Sequence, residues 1–145
     1  REIRQLSHSL IPPAMTEASL EKSIASLITI VQEGSGIDIV TQLGTMDSSI
    51  MSEQLKLTIY RILQEQMNNI LKYAKASKVQ LKIEQVADRI LLQITDNGIG
   101  FDVTQKTGGV GLLNIRTRAS LVNGAVTIKS APGMGCQLNV VFHSL

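Results

Sequence analysis

The chain has 145 residues, 43% of them apolar, and a formal charge of +2. That is enough to bury one core in a single domain, and too little positive charge for an electrostatic nucleic-acid footprint. With no Trp, two Tyr and two Phe it offers few stacking platforms for single-stranded nucleic acid, and its one Cys excludes an internal disulfide and fits a reducing compartment.

No apolar run approaches the roughly 18 residues of a membrane span, so no membrane contact is expected of this stretch. The chain opens at Arg1 without an initiator Met and reads as a fragment of a longer protein. Residues 1 to 10 read as a helix that Pro12-Pro13 stops. Ser19 or Thr16 caps a second helix over residues 20 to 32, with Leu20, Ile24, Leu27, Ile28 and Val31 on its apolar face and Gly34 and Gly36 to end it. Ile37 to Val40 reads as a strand before a turn at Gly44. A long amphipathic helix follows over residues 52 to 74, with Leu55, Ile59, Ile62, Leu63, Met67, Ile70, Leu71 and Ala74 at helical spacing.

Val79, Leu81 and Ile83 alternate with Lys78, Gln80, Lys82 and Glu84, the pattern of a strand with one wet face. Asp88-Arg89 turn the chain into a strand over residues 90 to 95. A helix from Gly111 to Val122 stops at Asn123-Gly124, and strands at 126 to 128 and 138 to 142 close a last hairpin around Pro132-Gly133-Met134-Gly135. The expected fold is a two-layer α/β sandwich: one mixed, mostly antiparallel sheet with helices on one face. No internal repeat or low-complexity tract interrupts it.

Three segments carry chemistry. Asp96-Asn97-Gly98-Ile99-Gly100-Phe101-Asp102 follows directly on an apolar strand. It puts one carboxylate at the mouth of the sheet, with glycines that let backbone approach a flat ligand without an intervening Cβ. On the long helix, Glu65 and Asn69 are four apart and Lys72 three further on, along one face. A carboxylate, an amide oxygen and an ammonium there suit Mg²⁺ and phosphate, since Mg²⁺ takes oxygen ligands and leaves much of its shell to water and phosphates. Thr107-Gly108-Gly109-Val110-Gly111-Leu112 runs into a helix, whose N-terminal N–H groups attract anions. Singly, each also fits a plainer origin: a chance loop pattern, a solvated stripe, a glycine-capped loop. Their order along the chain is what joins them.

Together the segments resemble the N, G1 and G2 boxes of the GHKL ATPases, the group of histidine kinases, type II topoisomerases, MutL repair proteins and heat-shock chaperone ATPases. Tyr60-Arg61-Ile62-Leu63-Gln64-Glu65, followed by Asn69 and Ala74, is similar to sensor histidine kinases of the nitrate-sensor and DesK-like class. The short stretch from Val103 to Thr107 resembles their abbreviated ATP lid. The opening through Pro12-Pro13 looks like the linker those kinases carry after their dimerisation helices, which makes residues 1–14 a linker and 15–145 the ATP-binding domain.

The resemblance implies a Bergerat fold, with ATP and Mg²⁺ as ligands. Asn69 would coordinate Mg²⁺ with Glu65 beside it, and both would be catalytic. Asp96 would accept from the adenine amine, with Gly98, Ile99 and Gly100 along the ring. Lys72 and Tyr73 would lie near the phosphates, and Gly108, Gly109, Val110, Gly111 and Leu112 in the lid. Cys136 would stand where the family has Thr at the adenine; a thiol is a poor donor there. The implied partners are the dimerisation domain with its phosphoacceptor His and a response regulator, and the implied location is cytoplasmic, within a parent free to be membrane-anchored. Alternatives are an ATP-hydrolysing module of gyrase or chaperone type, against which Asn68 stands where those often carry Asp or Ser, and a non-catalytic docking domain. His8 reads as a linker residue rather than the phosphoacceptor, because no two-helix dimerisation domain fits between it and Asn69. His143 reads as a surface residue, Cys136 as packing rather than a nucleophile, and a zinc site is not expected.

Overall fold

The computed structural model describes residues 19–44, 51–104 and 109–143, with the backbone course alone for 109–111. The expected helix and linker over residues 1–14, the Thr16 cap, His8 and Gly108 lie outside the described residues. Helix α1 spans Leu20–Ser35, and its N-cap is Ser19, whose hydroxyl accepts from Lys22 N–H. It runs through Gly34 and ends at Gly36, which takes the left-handed conformation and returns its N–H to the Gln32 carbonyl. Strand β1, Asp38–Leu43, begins one residue later and runs three further than the sequence suggests. Its parallel pairing with β2 (Lys78–Val86) carries it on to Leu43 opposite Ile83.

The long helix divides in two. Helix α2 covers Glu53–Asn69, capped by the Ser52 hydroxyl accepting from Leu55 N–H. Ile70–Ala74 then widen into a π-helical turn that ends on Lys75 in the left-handed region. The turn into β3 (Arg89–Asp96) is Ala87-Asp88 rather than Asp88-Arg89, because Arg89 already pairs with Val86 and Ala87 takes the positive φ. Helix α3 spans Gly109–Ser120, so Gly109 and Gly111 belong to its first turn rather than to the loop before it. Strands β4 (Gly124–Ser130) and β5 (Cys136–His143) extend the sheet.

The five strands lie in the order β1-β2-β3-β5-β4, with β1 parallel to β2 and every other pair antiparallel. The architecture is the mixed two-layer α/β sandwich expected from the sequence. Alternation decides which residues face the helices. Val79, Leu81 and Ile83 of β2, Ile90, Leu92 and Ile94 of β3, and Leu138, Val140 and Phe142 of β5 are all buried with the apolar faces of α1 and α2. The opposite face stays polar and is laced by side-chain amides. Gln93 donates to Asn139 at 2.9 Å and Asn139 to Gln137 at 3.2 Å.

Continuing that alternation, Asp96 at the end of β3 and Cys136 at the start of β5 have the same parity as the core residues. They are register partners. A carboxylate and a thiol therefore occupy the last inward row of the sheet, where the apolar core stops.

Candidate nucleotide site

The end of α2, the π-helical turn, the loop after β3, Cys136 and the start of α3 enclose a cavity of about 280 Å³. Gln66, Asn69, Ile70, Tyr73 and Ala74 line one wall, Asp96, Ile99, Gly100, Phe101 and Cys136 the floor and opposite side, and Leu112 of α3 the lip. Gln66, Asn69, Ile70 and Tyr73 recur three or four apart on one helical face. The π-helical turn widens that face just as it reaches the cavity, a distortion common at functional sites.

Its most polar floor group is Asp96, 4% exposed. Asp96 Oδ1 accepts from Gly98 N–H at 2.8 Å, and no bond claims Oδ2 among the described residues. Burial pushes the carboxyl above its usual range, and the Gly98 N–H partly offsets this. The Cys136 thiol is pushed up to about 11, first by burial and then by the Asp96 carboxylate, with the Ser130 hydroxyl working the other way. At neutral pH the thiol keeps its proton, which makes it a poor nucleophile.

The loop bearing Asp96 is held from two sides. Asn97 Oδ1 accepts from Ser77 N–H at 2.9 Å and Lys78 N–H at 3.0 Å, while its amide donates to the Ser77 hydroxyl. Ile99 N–H donates to the Ala74 carbonyl at 2.8 Å, satisfying a carbonyl left over at the helix end. On the other side Ser130 Oγ accepts from Phe101 N–H and donates to the Gly135 carbonyl, and Gly133 N–H donates to the Ile99 carbonyl at 2.6 Å.

Two glycines are required by neighbouring backbone. A Cβ on Gly98 would fall into the Ala74 carbonyl, and one on Gly100, at φ +66, into the Ala131 carbonyl. At both positions the missing Cβ admits neighbouring backbone. Gly98 is therefore packed against the helix end, and only Gly100 reaches the cavity wall.

Of the residues singled out from sequence, Asn69, Tyr73, Asp96, Ile99, Gly100, Leu112 and Cys136 come together around the cavity. Glu65 and Lys72 do not line it; Glu65 is half-buried one helical turn before Asn69, and Lys72 is exposed within the π-helical turn. The wider turn advances by a smaller angle per residue, so the shared face inferred for an unbroken α-helix does not extend to Lys72. Backbone of Gly109, Val110 and Gly111 forms the first turn of α3. Gln66, Ile70, Ala74 and Phe101 line the cavity as well, beyond the site residues that the sequence motifs suggest. Gln66 had a signal, since it lies three residues before Asn69 and four before Ile70. Among the described residues no three His, Cys, Asp or Glu side chains gather where they could hold a metal ion. The donor set instead fits a nucleotide with its own Mg²⁺: apolar walls for a ring, one carboxylate acceptor at the floor, and one amide oxygen on the helix.

Known proteins are similar to this chain in fold and in sequence. The fold matches the histidine kinase domain of the blue-light activated histidine kinase of Erythrobacter litoralis EL346 at TM-score 0.75, with 17% identity over 99% of this chain and 72% of that one. It also matches the Acinetobacter baumannii histidine kinase AdeS at TM-score 0.69, with 13% identity over 99% and 76%. Full-length ShkA, solved in complex with AMPPNP, matches at TM-score 0.67 and 22% identity over 87% of this chain and 30% of that one.

In sequence, the chain is 35% identical over 133 residues to the signal transduction histidine-protein kinase/phosphatase UhpB of Salmonella typhimurium, covering 90% of this chain and 26% of the relative. It is 29% identical over 136 residues to the corresponding kinase/phosphatase DegS of Brevibacillus brevis, covering 92% and 35%. The chain thus spans about a quarter to a third of the length of these curated relatives. Residues 54–144, which hold α2, the cavity and the last four strands, match the family described as histidine kinase-, DNA gyrase B- and HSP90-like ATPases. With that match added to the sandwich and its buried carboxylate, the chain belongs to the GHKL ATPase domains of the histidine kinase superfamily.

Proposed function

We propose that this chain is the ATP-binding catalytic domain of a two-component sensor histidine kinase, working in the cytoplasm. The observation that carries the reading is Asp96: a buried carboxylate at the floor of an apolar cavity, with one oxygen tied to Gly98 and the other without a bond among the described residues. An acceptor so placed suits the exocyclic amine of adenine and rejects the carbonyl that guanine carries there. Ile70, Ala74, Ile99 and Phe101 supply apolar surface for the ring, and the Cys136 thiol lies beside Asp96.

When bound, Mg-ATP supplies the γ-phosphoryl group that passes to a His on a separate dimerisation domain and then to a response regulator. This chain's part is positioning and charge compensation. The Asn69 carboxamide oxygen would ligate Mg²⁺, and Glu65, one helical turn before it, would orient a metal-bound water or the incoming His. The N-terminal turn of α3 would lie over the phosphates, its N–H groups directed at negative charge. Tyr73, on the cavity wall but 66% exposed, marks the phosphate end, and Lys72 beside it adds positive charge. The kinase/phosphatase relatives and the AMPPNP complex of ShkA support the nucleotide and the phosphoryl chemistry.

Calorimetric titration of ATP into the chain, with and without Mg²⁺ and with GTP as control, tests the reading. Binding of ATP that strengthens with Mg²⁺, with GTP silent, is expected. Silence toward ATP as well would leave a docking module that has kept the fold.

A further inference from the structure

We propose that Gln66 is a positioning residue, which turns the Asn69 carboxamide so that its oxygen rather than its nitrogen faces the cavity. Gln66 is 3% exposed, yet it lines the cavity alongside Asn69 one helical turn away. Asn69 Nδ2 donates to Gln66 Oε1 at 3.4 Å, and no bond claims Asn69 Oδ1 among the described residues. A buried carboxamide is costly unless it is hydrogen-bonded. Here its visible bond is to the neighbouring amide.

The chemistry explains why such a partner is needed. An unrestrained Asn presents oxygen and nitrogen almost interchangeably, and only the oxygen ligates a hard cation such as Mg²⁺. An acceptor held against the nitrogen removes the ambiguity. It does for a metal-ligating amide what an outer hydrogen-bond partner does for a metal-ligating imidazole. Gln66 has the reach because α2 is still a regular α-helix there, so residues three apart stand side by side; the π-helical turn begins only after Asn69. The inference rests on the reading above, in which Asn69 meets the metal of Mg-ATP.

A double-mutant cycle tests it by Mg²⁺ titration of nucleotide binding, followed with a fluorescent ATP analogue, beside binding of the same analogue in EDTA. Gln66→Leu, close in shape and without an acceptor, is expected to raise the Mg²⁺ midpoint about fivefold, the effect of one lost neutral hydrogen bond. Because Gln66 also lines the cavity, any loss of metal-free binding should be smaller than the loss seen with Mg²⁺. In an Asn69→Asp background either carboxylate oxygen can serve, orientation ceases to matter, and Gln66→Leu should leave the midpoint where it is. Should Gln66→Leu not fold, Gln66→Met removes the same acceptor with an unbranched chain.

Equal shifts in both backgrounds, no shift in the native background, or a parallel loss of metal-free binding would each overturn the proposal. Asn69→Ala separates the two levels. If it shifts the midpoint and Gln66→Leu does not, only the role of Gln66 falls. If Asn69→Ala leaves the midpoint unchanged, the metal reading falls and the role of Gln66 with it.

Discussion

Ionising Asp96 costs the protein some of its own stability. Its carboxyl is pushed up by burial more than Gly98 N–H pulls it down. Below the ordinary carboxylate value, about 3.9, folded and unfolded chains are both protonated and burial carries no charge penalty. As pH rises from there through the raised folded value, the unfolded chain ionises first and the folded state loses ground. Asp96→Asn keeps an oxygen for Gly98 N–H and abolishes that loss. Thermal melts of the ligand-free chain from pH 4 to 7 should show the variant level with the parent at the acid end and equal or better at neutral pH. Its ATP affinity, measured by calorimetry at neutral pH, should fall at least about tenfold, since an amide N–H would meet the adenine amine. A variant that melts earlier at neutral pH would make the carboxylate structural instead.

Among the elements, the loop after β3 is shaped by what it lies against. Ala74 ends the π-helical turn, and its carbonyl receives Ile99 N–H just where a Cβ on Gly98 would intrude. Gly98→Ala must push the loop off the helix end, at a cost of about 2 kcal/mol. Gly34, inside α1, has open space around its missing Cβ, and Gly34→Ala should stabilise by about 0.5–1 kcal/mol through helix propensity. Urea unfolding of the two variants measures both signs. A tolerated Gly98→Ala would mean that the loop has slack, and that the position of Asp96 does not depend on this contact.

At the scale of the whole molecule, the cavity joins parts far apart in sequence: α2, the end of β3, the start of β5 and the lip of α3. A ligand there ties helix layer to sheet and should stabilise the folded state by mass action, about 2.7 kcal/mol at a hundred times its dissociation constant. Scanning calorimetry should show Mg-ATP raising the melting temperature progressively with concentration. GTP should leave it unmoved, and Asp96→Asn should remove the ATP shift. An equal shift with GTP would place recognition on the phosphates alone.

The layers and the inward set follow from local pattern. Period-two alternation in β2, β3 and β5 and the helical spacing of α1 and α2 are local properties, written residue by residue. They carry Asp96 and Cys136 to the core side of the sheet by parity alone, and they place Asn69 and Tyr73 on a helix near its end. The remainder depends on long-range packing. The π-helical turn that leaves Lys72 outside the cavity, the backbone carbonyls that require Gly98 and Gly100, and the pairing of Gln66 with Asn69 depend on which groups are brought together. A glycine beside a ligand and a glycine beside a carbonyl are the same letter. Close approach of segments tens of residues apart separates them, and that is set by how helices and sheet pack rather than by any local pattern.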